Sequence, residues 1–293
     1  MGRQPLRVAV LEAERTLAAA GVASPRADAE QLAAHVVGVP RGRLMMVPLV
    51  DPPVLEEYRA LVARRAAREP LQHVLGTAVL GPVTVAVGPG VFTPRPETEL
   101  LLEWGLKAIA GVASPLVVDL CTGSGALALA VAASRPDAAV HAVEADPAAL
   151  SWARRNVAAH ADAGGTPVVL HAADVRWPDL LPELESTVDL VLCNPPYVPN
   201  GTTVPPEVRV WDPPGAVFGG SDGLVVIRAV VTASAALLRH GGWLAVEHDD
   251  THADAVPELL RRRRVLTDVQ EHRDLTGRPR YATARRAGLP SRA

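Results

Sequence analysis

Beyond Pro94 the chain repeats one pattern, a short apolar run followed by a stretch with helical periodicity. The runs are "LVVDL" (116–120), "AVHAVE" (139–144), "PVVLHA" (167–172), "VDLVLC" (188–193) and "WLAVEH" (243–248). Strands this apolar are buried on both faces, and strands joined by helical crossovers run parallel. The pattern therefore predicts an α/β fold, a mostly parallel sheet with helices on both faces. Residues 264–285 predict an antiparallel hairpin at its edge. Residues 6–76 read as helices: one ends at Gly21, and Ser24-Pro25 and Asp51-Pro52 carry the signature of an N-cap followed by a first-turn proline. Between them and the sheet, "VLGPVTVAVGPGV" (79–91) alternates β-branched residues with Gly-Pro punctuation and predicts a hairpin. The expected division is a helical domain over 1–76, a β-hairpin linker over 77–93 and an α/β domain over 94–288.

A chain of 293 residues can bury a sizeable core, and with 48% hydrophobic but only 3% aromatic residues that core is aliphatic. A net charge of −3 provides no global field for holding nucleic acid. Two cysteines, Cys121 and Cys193, are too few for a disulfide framework and suit a reduced compartment. The first residues carry acids within their apolar pattern, a poor secretory signal, and no apolar run reaches the roughly 18 residues of a membrane span. Leu6 stands where a myristoylation signal has Ser or Thr. A soluble, cytoplasmic monomer with no membrane partner is expected.

The stretch "VVDLCTGSGALALAVA" is a strand, a tight loop with Gly123 and Gly125, and a helix. Such a loop lets a ligand approach the backbone beside the free N–H groups of a helix N-terminus. Glu144 ends the next strand, 19 residues after Gly125, the spacing of a carboxylate that accepts from both hydroxyls of a ribose. A nucleoside cofactor follows. Gly123 to Ala128 also fits the looser dinucleotide pattern G-x-G-x-x-A, which brings NAD into question. Asp119, inside the apolar strand, favours a ligand with a cationic amine, because a buried acid needs a partner. S-adenosylmethionine has that amine, whereas NAD has a pyrophosphate.

The fourth run ends in Asn194-Pro195-Pro196-Tyr197. Strand order places it beside the first, so the motif overlooks the glycine loop. A planar –NH2 group is a poor nucleophile because its lone pair is delocalised. Acceptors that hold its two N–H groups can present the nitrogen to a methyl donor. The Asn194 side-chain oxygen and the Pro195 carbonyl are suited to this, and Tyr197 can lie against the flat group and exclude water. The motif reads as a clamp for a carboxamide, or for the amine of adenine or cytosine.

With "GPGVFTPRPETELLLEW" (88–104), "HAVEADPAAL" (141–150) and "FGGSDGL" (218–224), these motifs make the chain resemble the bacterial release factor glutamine methyltransferases, the HemK/PrmC family. The resemblance covers residues 69–285, and the block 94–99 is its most discriminating part. It implies a class I S-adenosylmethionine-dependent methyltransferase of Rossmann-like fold. The implied reaction is methyl transfer to the amide of the glutamine in the Gly-Gly-Gln loop of class-I peptide chain release factors. Carried over by position, Cys121, Thr122, Gly123, Ser124, Gly125 and Glu144 hold the amino-acid and ribose portions of the cofactor, with Asp119 and Asn194 beside them. Asp174 and Val175 flank the adenine. Asn194, Pro195, Pro196 and Tyr197 hold the glutamine, and Phe92 walls the pocket. Cys121 stands where the commoner loop has a glycine, Val175 where some members are aromatic, and Leu80 in a hairpin that is often more aromatic.

The alternatives are an adenine amino-methyltransferase, a methyltransferase for ribosomal protein glutamine, and a cofactor-binding module without catalysis. The first is opposed by the charge of "VFTPRPETE" and "NPPYVPNGTTVPPE", one arginine against three glutamates. The last is opposed by the intact clamp. "HDDTHAD" (248–254) reads as helix caps rather than a metal site, and 261–264 as a solvated basic run at a helix C-terminus. The two cysteines read as buried packing rather than a redox switch.

Overall fold

The computed structural model describes residues 3–288 and divides the chain into two compact units, Met1–Thr77 with Pro205–Trp211, and Ala78–Val204 with Asp212–Ala293. In the first unit a two-residue strand β1 (Gln4–Pro5) pairs antiparallel with β2 (Leu49–Val50) around helices α1 (Leu6–Ala19), α2 (Pro25–Val37), α3 (Pro52–Ala66) and α4 (Leu71–Leu75). Helix α1 buries Leu6, Ala9, Val10, Ala13 and Leu17, one stripe at helical spacing, against Leu32 of α2 and Leu55 and Tyr58 of α3. Helices α2 and α3 begin at the expected prolines, but neither Ser24 nor Asp51 makes a side-chain cap bond, and Asp51 accepts from Arg3 instead. The buried Arg65 donates to Asp28 at 2.8 Å and to Glu207 at 3.0 Å, and Arg68 also grips Glu207. These bonds fasten the segment Pro205–Trp211 to the helices.

The second unit opens with strands β3 (Thr77–Leu80) and β4 (Val83–Ala86), joined through Gly81 and Pro82, followed by α5 (Thr98–Ala108). The succession that follows is β5 (Leu116–Leu120), α6 (Ala126–Ser134), β6 (Ala139–Glu144), α7 (Pro147–Asp162), β7 (Val168–Ala172) and β8 (Val188–Cys193). After it come α8 (Pro206–Trp211, within the first unit), α9 (Pro214–Val217), α10 (Val225–Leu237), β9 (Leu238–Glu247), α11 (Ala255–Arg262), β10 (Leu266–Arg273) and β11 (Pro279–Arg286). The seven strands lie in the order β10-β11-β9-β8-β5-β6-β7. Strands β5 to β9 run parallel, and β11 and β10 form the expected antiparallel edge. Strand β9 starts earlier than the apolar run suggested, at Leu238, which pairs with Val188; a register shift then carries the chain past Gly241 and Gly242 before regular pairing with β8 resumes at Trp243 and Leu190.

Both sheet faces are buried. Val117, Leu190 and Leu192 pack on one side with Leu101 of α5 and Leu129 of α6; Val118, Val191 and Leu244 pack on the other with Ile227 of α10 and Leu260 of α11. At ~1.5–3 kcal/mol for each fully buried aliphatic side chain, this double layer fixes the register as well as the fold. Leu120 pairs with Val143 on one side and Cys193 on the other, and Cys193 pairs with Val246. The next residues along these strands, Glu144, Cys121, Asn194 and Glu247, therefore emerge in one row at the carboxyl edge. That row straddles β5 and β8, where the strand order reverses and where open α/β sheets bind ligands.

Candidate active site

At the end of β5 the backbone turns sharply. Cys121 takes φ +60°, a left-handed conformation uncommon for a residue with a Cβ, which accounts for the commoner glycine at this position. The Thr122 N–H then bonds the Val143 carbonyl at 3.0 Å, and the Gly125 N–H returns to the Thr122 carbonyl at 3.0 Å. Asp119 has partners of its own: its Oδ2 accepts from Thr122 Oγ1 at 2.5 Å and from the Ala128 N–H, in the first turn of α6, at 3.1 Å. Both bonds converge on Oδ2, and Asp119 lines the cleft, so the acid is partly partnered within the fold without any ligand. Burial pushes its carboxyl up to about 7.

Glu144 works similarly. Its two oxygens accept from Gly123 N–H and Asp146 N–H, each at 2.8 Å, so the acid of β6 holds the loop after β5 and the turn into α7. Burial raises its pKa despite these bonds. Asn156 of α7 completes the scaffold by donating to the carbonyl of Ser124 at 2.8 Å. Beyond β7, Asp174 is held below the usual carboxylate range by the Arg176 side chain, and the neighbouring Val175 is buried.

At the end of β8, Asn194 Nδ2 donates to Thr98 Oγ1 at 3.1 Å, Thr98 Oγ1 donates to Glu247 Oε2 at 3.0 Å, and Tyr197 OH donates to Glu247 Oε1 at 3.0 Å. Glu247 is 1% exposed, and burial pushes it up to about 7. Burial also lifts the Tyr197 phenol well above its ordinary value, so it stays a neutral donor. Behind the motif runs "FGGSDGL". A Cβ on Gly219 would lie 2.5 Å from the Pro196 carbonyl oxygen and one on Gly223 2.2 Å from that of Tyr197, so both positions need glycine for close approach. Val198 and Gly219 exchange backbone bonds with this segment as well, at 3.0 Å to Val217 and 2.9 Å back to Val198.

One cleft of about 660 Å³ unites these parts. Phe92, Asp119, Cys121, Thr122, Gly123, Ser124, Glu144, Asp174, Val175, Asn194, Pro195, Pro196 and Tyr197 all line it. Gly125 is absent from the lining: it is the N-cap of α6, at φ +83°. The expected acidic rim is corrected too, since Glu97, Glu99 and Glu207 do not line the cleft and Glu207 is taken by Arg65 and Arg68. Thr98, Glu247 and Phe218 were missed. Glu247 carried the same signal as Glu144, an acid at the carboxyl end of an apolar strand, and Thr98 lay within the block 94–99. The Arg95 guanidinium lies 4.9 Å from the centroid of the Phe92 ring and bonds Asp212 at 2.7 Å, which fixes that wall.

A doubly wound parallel sheet with an antiparallel edge, bearing a glycine loop, an acid at the end of the next strand and an Asn-Pro-Pro-Tyr motif in one cleft, defines a class I methyltransferase. A family model described as the methyltransferase small domain matches residues 83–209, and one described as the PrmC N-terminal domain matches residues 9–76. The chain is 56% identical over 281 residues to the release factor glutamine methyltransferase of Mycolicibacterium smegmatis, covering 96% of this chain and 98% of that one. It is 50% identical to that of Mycobacterium tuberculosis, covering 97% and 92%, and 47% identical to that of Streptomyces coelicolor, covering 95% and 97%. The chain belongs to the release factor glutamine methyltransferase family. Among solved structures, a 16S rRNA N2 G1207 methyltransferase of T. thermophilus in complex with AdoMet and guanosine superposes with a TM-score of 0.51 at 23% identity. It covers 72% of this chain and 49% of that one, a likeness of fold alone.

Proposed function

We propose that this chain transfers a methyl group from S-adenosylmethionine to the side-chain amide nitrogen of the glutamine in the Gly-Gly-Gln loop of class-I release factors. The observation that carries the reading is the polarity of Asn194. Its Nδ2 is committed to Thr98, and among the described residues no hydrogen bond reaches its Oδ1, in a side chain that lines the cleft. That oxygen is an acceptor suited to one N–H of a carboxamide, and the Pro195 carbonyl to the other. Held by both, the amide turns the face of its nitrogen toward the donor, and Tyr197 and Phe92 exclude water.

The cleft fits the cofactor. The Glu144 carboxylate accepts backbone bonds from Gly123, Asp146 and Ala145, fewer than the roughly four lone-pair sites of a carboxylate, which leaves acceptor capacity for a ribose hydroxyl, and a Cβ placed on Gly123 would meet nothing within 4 Å. Cys121, Thr122 and Ser124 would hold the amino-acid portion beside Asp119, and Asp174 and Val175 the adenine. S-adenosylmethionine, when bound, supplies an electrophilic methyl on a positively charged sulfur.

The helical region, 1–76, is the substrate-docking domain in this reading, with 77–93 the hairpin linker and 94–288 the catalytic domain. A release factor is large enough to need a second contact surface, and Met45 and Met46 are 82% and 76% exposed on the helical unit. The protein acts as a cytoplasmic monomer without direct contact to nucleic acid. Among the described residues no helix is long and apolar enough to cross a membrane. Arg176, which lines the cleft, is neutralised by Asp174, and Arg95, behind the Phe92 wall, by Asp212, which leaves a phosphate chain little to bind. Incubation of a purified release factor with this protein and S-adenosylmethionine, followed by peptide mass analysis, is expected to place one methyl on the Gly-Gly-Gln glutamine. Methylation of nucleic acid with none on the release factor would overturn the reading.

A further inference from the structure

The clamp works only if Asn194 presents oxygen and not nitrogen, and a carboxamide has no intrinsic preference between the two orientations. Two buried groups, Thr98 and Glu247, settle it together with the partly buried Tyr197. Thr98, 4% exposed at the start of α5, has one hydroxyl proton, and a carboxylate at Glu247 accepts it. With that proton spent, Thr98 Oγ1 can only accept from Asn194, so Nδ2 must face it. The other Glu247 oxygen takes the Tyr197 proton, which prevents the carboxylate from turning and fixes the ring that walls the acceptor pocket. Every proton in the chain points toward Glu247.

We propose that Thr98 and Glu247 are positioning residues for methyl transfer, holding the Asn194 carboxamide with Oδ1 toward the acceptor amide. The inference rests on the function proposed above. The charge of Glu247 is felt against a defined surround: Tyr197 and Cys193 from β8 and its following loop, Arg280 and Tyr281 from β11, Glu97 and Thr98 at the start of α5, and His248 next in the chain. Arg280 favours the carboxylate and Glu97 opposes it, while burial lifts the group to about 7. Protonation turns a group that only accepts into one that can also donate, so Thr98 Oγ1 can accept from Glu247 and is no longer held to a single role toward Asn194. The order of the chain is therefore lost on acidification through that range.

The test uses the full chain, with three readouts. For Thr98→Val, which keeps the shape and removes the hydroxyl, kcat on an intact release factor is expected to fall by at least ~10-fold while the Kd for S-adenosylmethionine stays within ~3-fold. Thr98→Ser is expected to restore most of the rate, and Thr98→Val is expected to cost nothing further in an Asn194→Ala background. Independently of activity, selective 15N-asparagine labelling reports on three side chains, Asn156, Asn194 and Asn200. The Asn194 amide resonances should move with pH about the Glu247 titration in the parent, and not in Thr98→Val or Glu247→Gln. A normal rate in Thr98→Val, failure of Thr98→Ser to recover, or pH-insensitive Asn194 resonances in the parent would overturn the proposal. A parent inert on release factor would instead sink the proposed function, and the resonance titration would still decide the network. If Thr98→Val does not fold, Glu247→Gln under the same titration decides it.

Discussion

The two halves of the cleft use buried acids in opposite ways. At β5 and β6, Glu144 and Asp119 mainly grip main chain: the N–H groups of Gly123, Asp146 and Ala128, with the Thr122 hydroxyl added. At β8 and β9, the Glu247 carboxylate grips only side chains among the described residues, Tyr197 directly and Asn194 through Thr98. The first arrangement shapes backbone, and in the proposed function that backbone is the cradle for a cofactor that is the same in every turnover. The second orients two side chains, which in the same proposal face the acceptor, and its parts are as replaceable as any side chain.

The largest effect should separate the halves outright. Asn194→Ala is expected to lower methyl transfer by ~10²–10³-fold or more with cofactor affinity nearly intact, as when a preorganised polar group is removed from a reacting centre. Glu144→Ala is expected to weaken cofactor binding by ~10–100-fold, the loss of two charge-assisted bonds. Calorimetric titration alongside single-turnover rates measures both, and equal losses in the two variants would dissolve the distinction.

A smaller effect follows from protonation. Burial holds Asp119 at about 7 in the fold, above its ordinary 3.8, so the folded state binds this proton more tightly than the unfolded chain. Its contribution to stability is full below the unfolded value and is lost as pH rises through about 7. Asn at 119 does not titrate, and its Oδ1 can accept both bonds that now converge on Oδ2. Relative to the parent, Asp119→Asn should therefore gain ~2 kcal/mol between pH ~5 and ~7, read from denaturant unfolding. A gap that does not change with pH would mean that Asp119 is ionised throughout. The smallest effect is Cys121→Gly. Relief of a left-handed backbone offsets the packing of a half-buried thiol, so thermal unfolding should move by no more than ~1 kcal/mol.

The same contrast explains what the sequence revealed. Strands β5, β6 and β8 have the bounds their apolar runs suggest, and a cradle built on backbone writes itself locally, in glycines and one acid at fixed spacing. The clamp's support does not: Thr98 lies 96 residues from Asn194 and 149 from Glu247, and only the β8–β9 register and the placement of α5 bring them together. The start of β9 lies outside the apolar run because a register shift separates Leu238 from Trp243, and a Cβ on Gly242 in that stretch would lie 2.7 Å from the Val188 carbonyl oxygen. Ser24 and Asp51 mark true helix starts without capping them, because the following proline already fixes the first turn.

The fastening of Glu207 by Arg65 and Arg68 also bears on heredity. The helical unit is written in two places, and its second piece, Pro205–Trp211, sits inside the coding region of the other unit. A recombination that exchanged only the first 77 codons between relatives would set two arginines, one of them buried, against whatever the recipient carries at position 207. The exchange succeeds only where that acid is matched. The two stretches are thereby expected to vary together, although more than a hundred residues separate them.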